Sequence, residues 1–215
     1  MVAFVFQKLL DEGGPSGPNV EAAQDWFAEQ TSITPARPQA IVRGADPKQH
    51  TPQRFKKRLR QGRYEWGRMI MFQYLPKTVE AMPYYDRFPM GFIIDVQPDN
   101  FLMMNMHYLP PELRASVMDA LYRYLPGGED TQLLDSDKLE MMPQPYKILK
   151  RYRNLRWYKG CLKRYLNSNI QSRIVTIYPK EWNMALFMPM TRTFRGASKM
   201  QIWRDTKRKG RGLKV

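Results

Sequence analysis

Residues 90–108 read MGFIIDVQPDNFLMMNMHY, and this stretch decides the fold. Two apolar runs, 90–96 and 101–108, flank Pro98, Asp99 and Asn100, which are residue types typical of a tight turn. Short apolar runs bounded by turn residues favour strands. The stretch therefore predicts two neighbouring strands of an antiparallel sheet, joined by a short turn.

The segments on either side extend the same pattern. Residues 68–75 and 172–178 are further strand-like runs, and 182–188 predicts another strand or a short helix. Residues 110–125 begin with two prolines and then carry apolar residues at helical spacing. We therefore expect an α+β fold, in which a small, strongly curved antiparallel sheet is packed by helices and flanked by extended basic arms.

The two ends of the chain differ from this centre. Residues 2–12 predict an amphipathic helix, a second helix begins near Asn19, and the Pro-rich stretch 31–50 predicts an extended arm. The Lys/Arg-rich C-terminus is expected to be disordered when free. The predicted organisation has three parts: N-terminal helices and a Pro-rich arm at 1–50, an α+β core at 51–203 and a basic tail at 204–215.

Charge is the most informative bulk property of the chain. Lys and Arg number 35 against 20 acidic residues, which gives a formal net charge of +15 and a sequence pI near 10.0. Because uncompensated like charge destabilises a compact state, this imbalance predicts an acidic partner. Nucleic acid is the first candidate, and an acidic protein neighbour is the alternative.

Three basic segments carry much of this charge: residues 54–63, 147–164 and 204–214. Phosphate contact requires Lys and Arg, and neutralising about 6 to 10 phosphates makes DNA affinity fall steeply with salt. The predicted nucleic-acid-binding residues are Arg54, Lys56, Lys57, Arg58, Arg60, Arg63, Lys147, Lys150, Arg151, Arg153, Arg156, Lys159, Lys163, Arg164, Lys207, Arg208, Lys209 and Arg211.

Aromatic residues interleave with the second basic segment. Tyr146, Tyr152, Trp157 and Tyr158 lie among its cations, where they can stack on bases or pack beneath Arg side chains. Alternatively, they belong to the core and the charges form a solvated face. Helical spacing in the same segment predicts one apolar stripe, formed by Tyr158, Cys161, Leu162, Tyr165 and Leu166.

Metal-binding and nucleophile patterns are weak in this sequence. His50 and His107 are its histidines, and neither has a second His or Cys at ligand spacing. His107 ends an apolar run and is expected to be a structural histidine with satisfied hydrogen bonds. Cys161 is expected to be a small core residue and not a nucleophile.

A metal-dependent nuclease is the enzyme class worth testing, since basic charge suits a nucleic-acid substrate. Asp86, Asp95 and Asp99 could hold Mg²⁺ in principle, but no Lys or His completes a familiar motif around them. We therefore expect a protein that is not an enzyme and uses no metal or cofactor.

Cysteine content and hydropathy bear on the compartment. With Cys161 alone, the chain can form no intramolecular disulfide, which indicates synthesis in a reducing compartment. No apolar run approaches the roughly 20 residues of a membrane span, so we expect no membrane partner.

Methionines cluster in the predicted sheet, at Met69, Met71, Met103, Met104 and Met106. Methionine fills irregular gaps in cores and also adapts to protein surfaces. Both a core and a subunit interface that docks on neighbouring proteins therefore remain open.

Four stretches carry a more specific signal: GRMIMFQYLPK at 67–77, PYYDRFPMGF at 83–92, FLMMNMHYLPPELRASVMDALY at 101–122 and KRYLNSNIQSRIVTIYPKEWNMALFMP at 163–189. Together they resemble a family of small virion proteins of contractile-tailed bacteriophages, the DNA end protector or head completion proteins. The likeness runs in the same order from about Trp26 to the region of Trp203 and Asp205.

The resemblance implies a structural protein made in the host bacterial cytoplasm that acts in the virion, at the filled head, the neck or the adjoining tail. Its implied partners are double-stranded DNA, near a terminus of the packaged molecule, and other virion proteins. It implies no catalytic residues. A baseplate or tail component that contacts only virion proteins is the first alternative, and the nuclease is the second.

Overall fold

A computed structural model describes residues 4–13, 18–32, 49–50, 67–122, 143–188 and 193–212. Within these ranges the α-helices are α1 (Val5–Gly13), α2 (Pro18–Ser32), α3 (Pro111–Tyr122), α4 (Pro143–Asn154), α5 (Trp182–Phe187) and α6 (Lys199–Gly212). The strands are β1 (Gln49–His50), β2 (Met69–Met71), β3 (Tyr85–Asp86), β4 (Met90–Val96), β5 (Asn100–Asn105), β6 (Leu162–Leu166), β7 (Ile174–Ile177) and β8 (Phe194–Arg195). Short 3₁₀ helices lie at Val79–Ala81, Met106–Tyr108, Arg156–Cys161, Asn167–Asn169 and Pro179–Glu181.

The main sheet is antiparallel throughout. Its strand order is β1-β7-β2-β4-β5-β6, and β3 pairs with β8 in a separate two-stranded ribbon. The α+β class, with an antiparallel sheet packed by helices, is confirmed. The sheet is open and uncurled, with β1 and β6 at its edges, in contrast to the strong curvature that we expected.

The hairpin of β4 and β5 forms where the sequence predicts it. Phe92 pairs with Met104, and the backbone N–H of Gln97 donates to the carbonyl of Asn100 across 2.8 Å to close the turn. Gly91 lies opposite Asn105, where a Cβ would lie only 2.9 Å from the Asn105 Cα. The predicted turn is therefore confirmed, and the close approach of β5 explains the glycine in β4.

Both faces of the sheet are covered. One face packs on α3 and α5 in a large core that includes Phe92 and Met104, and the other holds a smaller cluster built on Phe72, Phe101 and Tyr165. The five sheet methionines are each at most 2% exposed. Of the two possibilities that the sequence leaves open for these methionines, the structure supports the core, because their side chains are buried within this protein: Met69, Met71, Met103, Met104 and Met106.

The N-terminal helices pack on this core. The backbone N–H groups of Phe6 and Gln7, at the start of α1, donate to the carboxylate of Asp119 in α3 across 2.9 and 3.1 Å. A carboxylate at a helix N-terminus satisfies backbone donors that lack an intrahelical partner. In α2, the ring of Phe27 meets that of Phe88 edge to face. The helices predicted near 2–12 and after Asn19 are thus present and docked.

Residues 158–166 do not form the helix that their apolar stripe predicted. Helix α4 ends at Asn154, the 3₁₀ helix Arg156–Cys161 follows, and Leu162–Leu166 is the edge strand β6. A short apolar run fits helical and strand spacing almost equally well. Here pairing with β5 and the packing of Tyr165 against Phe72 and Phe101 favour the strand.

The C-terminal segment also differs from its prediction. Helix α6 spans Lys199–Gly212 and crosses the expected boundary at residue 204, where we predicted a disordered tail. Its Ile202 and Thr206 are buried, so tertiary packing stabilises a helix that composition alone does not favour.

Several predictions fall on residues outside the described ranges. These are most of the Pro-rich arm, at 33–48, and the first basic segment, at 54–63. Among the helices that are described, none combines the length and apolar character needed to cross a membrane.

Candidate nucleic-acid interface

Helix α4 presents a basic outer face. Leu149 is fully buried and Tyr152 half-buried, whereas Lys150, Arg151 and Arg153 are exposed. The helix contains no acidic residue, and its last turn holds two arginines, where the helix dipole favours positive charge. One face thus anchors the helix in the core and leaves the cations in solvent.

The 3₁₀ helix Arg156–Cys161 follows α4 in the chain and packs on α3 and α4 through Tyr158. The Tyr158 ring meets Tyr152 edge to face at 4.8 Å, and its hydroxyl donates to the Leu113 carbonyl of α3 at 3.5 Å. The Cys161 thiol donates to the Tyr158 carbonyl across 2.9 Å. These contacts turn Arg156 outward, where it is exposed.

Helix α6 packs directly on this 3₁₀ helix. Gly160 lies against the backbone of Thr206, with no room for a side chain between the two segments. The indole N–H of Trp203 donates to the His107 carbonyl at 3.2 Å and ties α6 to the end of β5. The exposed cations of α6 are Lys199, Arg204, Lys207 and Arg208.

Through the packing of the 3₁₀ helix on α6, the fold brings the second and third predicted basic segments into contact, although about 40 residues separate them in sequence. We call α4, the 3₁₀ helix Arg156–Cys161 and α6 together the basic surface. The side chains of Lys147, Lys209 and Arg211 lie outside what the structure describes, as does the whole first segment: Arg54, Lys56, Lys57, Arg58, Arg60 and Arg63.

Two further predicted cations, Lys163 and Arg164, contact neighbouring side chains. Lys163, on β6, places its ammonium 4.1 Å from the centre of the Tyr108 ring, and Arg164 donates to the side chain of Asn100. Lys159 is half-buried. Lys159 and Lys163 are thus less exposed than the cations of α4 and α6, whereas Arg164 is exposed on β6.

Positive charge dominates the sequence from residue 143 to residue 180. Residues 143–180 contain ten Lys or Arg and no acid. In α6 the acid is Asp205, which lies 3.9 Å from Arg208 and accepts a hydrogen bond from Tyr84. Burial, reinforced by this carboxylate, raises the pKa of Tyr84 to about 12. Asp205 is therefore engaged at the inner side of α6, and the outer side remains strongly positive.

A buried polar centre lies beneath the basic surface. The Asp86 carboxylate accepts from His107 Nδ1 at 2.8 Å, from Asn105 Nδ2 at 2.9 Å and from the Phe88 backbone N–H at 3.1 Å. Asn105 Nδ2 also donates to the Tyr165 hydroxyl at 2.8 Å. His107 is fully buried, so this centre holds β3, β5 and β6 together out of contact with solvent.

Comparison with known proteins decides the family. The model of one family, the phage T4 terminal DNA protecting protein, matches residues 45–206. The chain belongs to this family. No curated protein and no solved structure matches it. The predicted resemblance to phage DNA end protectors is therefore confirmed, and the match includes α4, the 3₁₀ helix Arg156–Cys161 and most of α6.

The acids predicted for a nuclease do not meet in this member of the terminal DNA protecting family. Asp86 is buried in the polar centre, Asp95 accepts from the backbone N–H of Val96, and Asp99 lies exposed in the β4–β5 turn. Within the described residues, no group of three His, Cys, Asp or Glu side chains could hold a metal ion. The structure therefore lends no support to a metal-dependent nuclease.

The single cysteine and the second histidine behave as structural residues. Cys161 is fully buried, and burial raises the pKa of its thiol to about 12, so it is a core residue as predicted. His107 bonds Asp86 through Nδ1, whereas its Nε2 has no partner in the described part of the chain. The expected structural histidine is thus present, with one of its two ring nitrogens satisfied.

Sequence reasoning missed the polar centre and the contact between α6 and the 3₁₀ helix. Asp86 was weighed as a metal ligand, and no spacing in the sequence connects it with His107 or Tyr165. Among the interleaved aromatics, Tyr152 and Tyr158 belong to the core side, and Trp157 is exposed. The side chain of Tyr146 lies outside the described part.

Proposed function

We propose that this chain is a structural virion protein that binds close to a terminus of the packaged double-stranded DNA, at the head or neck, and shields that end. Membership of the terminal DNA protecting family supports this role. The observation that carries it is the basic surface, where α4 presents exposed Lys and Arg with no acid, and α6 presents four exposed cations against one acid, Asp205. Protection is stoichiometric, and no bond is made or broken.

The charge pattern suits the phosphate backbone of a duplex. The exposed cations sit on helices whose other faces are buried, so little backbone conformational entropy is lost when the surface meets DNA. Contacts to phosphates carry no sequence information, which suits a protein that must bind whatever sequence lies at the end. If the surface contacts about six phosphates, raising the salt concentration from 50 to 200 mM should weaken DNA binding roughly 10³-fold.

An exonuclease protection assay tests this function. Blunt linear duplex is incubated with increasing protein and then with an exonuclease that starts at ends, with Mg²⁺ present. We expect full-length DNA to survive once protein matches the number of ends, and closed circular DNA to bind more weakly. Degradation of the linear DNA at the rate seen without protein would overturn the proposal, and cleavage by the protein alone would favour the nuclease.

Two charge-matched variants locate the interface. Arg151→Gln with Arg153→Gln removes two exposed cations from α4, and Lys77→Gln with Lys180→Gln removes two exposed cations from other elements. Both lower the net charge from +15 by two, to +13. We expect the first pair of substitutions to weaken DNA binding and to reduce by about two the slope of log affinity against log salt concentration. The second pair should change both quantities little.

The position in the particle needs its own experiment. Antibodies against this chain, applied to disrupted virions and viewed by electron microscopy, should label the head–neck junction. In the particle the protein would also contact other virion proteins. Label on the baseplate or tail, together with a failure to bind DNA at physiological salt, would replace the proposal with a tail component that contacts only proteins.

A further inference from the structure

We infer that Trp157 stacks on the exposed face of the terminal base pair, so that the protein recognises a DNA end and not only a phosphate backbone. This inference rests on the proposed function and deepens it, because it names the chemical feature that distinguishes the ligand. An interior base pair is covered on both faces by its neighbours. The last base pair of a duplex exposes one flat apolar face, on which an aromatic side chain can stack.

The exposure of Trp157 motivates this assignment. Its side chain is 43% exposed, whereas Trp182 is 2% exposed and Trp203 is half-buried with its N–H bonded to His107. Among the described residues, the Trp157 indole makes no hydrogen bond or ring contact, and close to half of its side chain is open to solvent. The adjacent Leu155 is 42% exposed. Leu155 lies two positions before Trp157, so two of the exposed large apolar side chains are close together in the sequence.

The backbone beneath Trp157 is rigidly placed. The next residue, Tyr158, is buried between α3 and α4, and the Gly160 backbone is pressed against Thr206 of α6. A ring presented from a fixed 3₁₀ helix loses little freedom on binding, which increases the affinity gained from each contact. Trp157 is therefore a preorganised stacking platform and not a residue on a loose loop.

The surrounding charge identifies the occupant. Arg153 and Arg156, on either side of Trp157 in sequence, are exposed, and no acid lies within residues 143–180. An apolar face set among cations fits a ligand that carries phosphates around a flat apolar surface. The end of a duplex has both features, since two strands of phosphates flank the terminal base pair. An acidic protein offers the charge without the flat face.

A comparison of open and closed ends tests the inference. The probes are a blunt duplex and the same duplex with both ends closed by hairpin loops, which keep the phosphates and cover the terminal base pairs. We expect wild-type protein to prefer the blunt duplex. Trp157→Ala should lower the affinity for the blunt duplex at least about fivefold, the lower bound for one base–aromatic stack, and leave the affinity for the closed duplex unchanged.

Two further variants control for effects on the fold. Trp157→Phe keeps an aromatic face and should retain most of the preference, and Leu155→Ala removes exposed apolar area without a ring and should retain all of it. The thermal midpoint of each variant is measured alongside. A second readout uses 2-aminopurine, a fluorescent base, at the last pair or ten pairs inside. Wild-type protein should quench the terminal probe alone, and Trp157→Ala should not.

The outcomes separate the inference from the proposed function. If wild-type protein prefers blunt ends and Trp157→Ala keeps that preference, stacking is wrong while end binding survives. If wild-type protein binds open and closed duplexes equally but still binds DNA, neither end recognition nor the stacking role stands. If Leu155→Ala loses affinity as strongly as Trp157→Ala for both probes, the pair forms a general apolar contact and terminal stacking is overturned.

Discussion

Gly160 of the 3₁₀ helix packs against the backbone of Thr206 in α6, so closely that a Cβ on Gly160 would lie 2.9 Å from the Thr206 carbonyl oxygen and 3.0 Å from its Cα. Real Cβ atoms rarely approach another heavy atom within 3.0 Å. A glycine is thus required at the point where α6 meets the rest of the basic surface. Four experiments follow from this and neighbouring contacts.

Substitution of Gly160 by Ala should displace α6. The new methyl group meets backbone atoms, which cannot turn aside as a side chain can, so we expect a loss of about 1–3 kcal/mol in the free energy of unfolding. DNA affinity should fall as well, because the cations of α6 move relative to those of α4. Urea denaturation and DNA titration measure the two effects.

Thr206→Ser is the matched control for this substitution. It removes the Cγ2 methyl, which would lie 2.7 Å from the new Cβ, but leaves the carbonyl in place. The double variant Gly160→Ala with Thr206→Ser should therefore regain only part of the stability that Gly160→Ala loses. Full recovery in the double variant would show that the side chain, and not the backbone contact, limits the approach of α6.

Asp86→Asn should destabilise the protein by about 2–4 kcal/mol. The carboxylate accepts from Phe88, Asn105 and His107, whereas an amide can only partly replace it because its NH₂ group would face one of these donors. Asp99→Asn, an identical change at an exposed turn position, should stay within about 0.5 kcal/mol. Equal midpoints for the two variants in urea would contradict a structural role for the Asp86 centre.

Alkaline pH should weaken the fold. Burial raises the pKa of Tyr158 to about 12 and that of Tyr165 well above its usual 10.0, because a phenolate is poorly solvated in the core. In the unfolded chain these phenols ionise near pH 10. The unfolded state therefore binds fewer protons above pH 10, and stability present below pH 10 is lost as the pH rises towards 12.

Urea midpoints at pH 8, 9.5, 10.5 and 11.5 check this prediction, with absorbance at 295 nm to report phenolate. Tyr158→Phe should make the decline shallower, because it removes one of the buried phenols while keeping the ring. A midpoint that stays constant from pH 9.5 to 11.5 would be inconsistent with the shifted tyrosines.

Cys161 should not react with a thiol reagent while the protein is folded. It is fully buried, and its thiol, with a pKa of about 12, is protonated at pH 8. A disulfide reagent that absorbs light on reaction should detect no reactive thiol in the folded protein at pH 8. In denaturant it should detect one thiol per chain. Ser168→Cys, at an exposed position, supplies a reactive control on the same protein. Rapid reaction of the wild-type thiol would mean that the 3₁₀ helix opens readily.

The hairpin at 90–108 and the helix α3 could be predicted from sequence alone. The turn at Pro98–Asn100 depends on local residue chemistry, and α3 on a sustained helical period, so neither needs distant contacts to be recognised. Net charge is likewise a property of composition, and the basic character of the surface followed from it. One of the four stretches that carry the family resemblance, 101–122, spans these two elements.

Tertiary structure decided the rest. Met103 and Met104 point to opposite faces of β5, and composition cannot show that both faces are covered. The sequence therefore leaves a partner interface open, whereas the structure buries the two side chains in separate clusters. For residues 162–166, helical and strand spacing are indistinguishable over so short a run, and pairing with β5 chose the strand.

The candidate site shows the same division. Its charges were evident from the sequence, since each basic segment is a local run of Lys and Arg. That the second and third segments meet was not evident, because the 3₁₀ helix Arg156–Cys161 and α6 are brought together by the fit of Gly160 against Thr206. Which aromatic is left exposed likewise depends on how Tyr152 and Tyr158 pack. Sequence thus determined what the surface is made of. Long-range packing decided its shape, since contacts between distant segments leave no periodic signal along the chain.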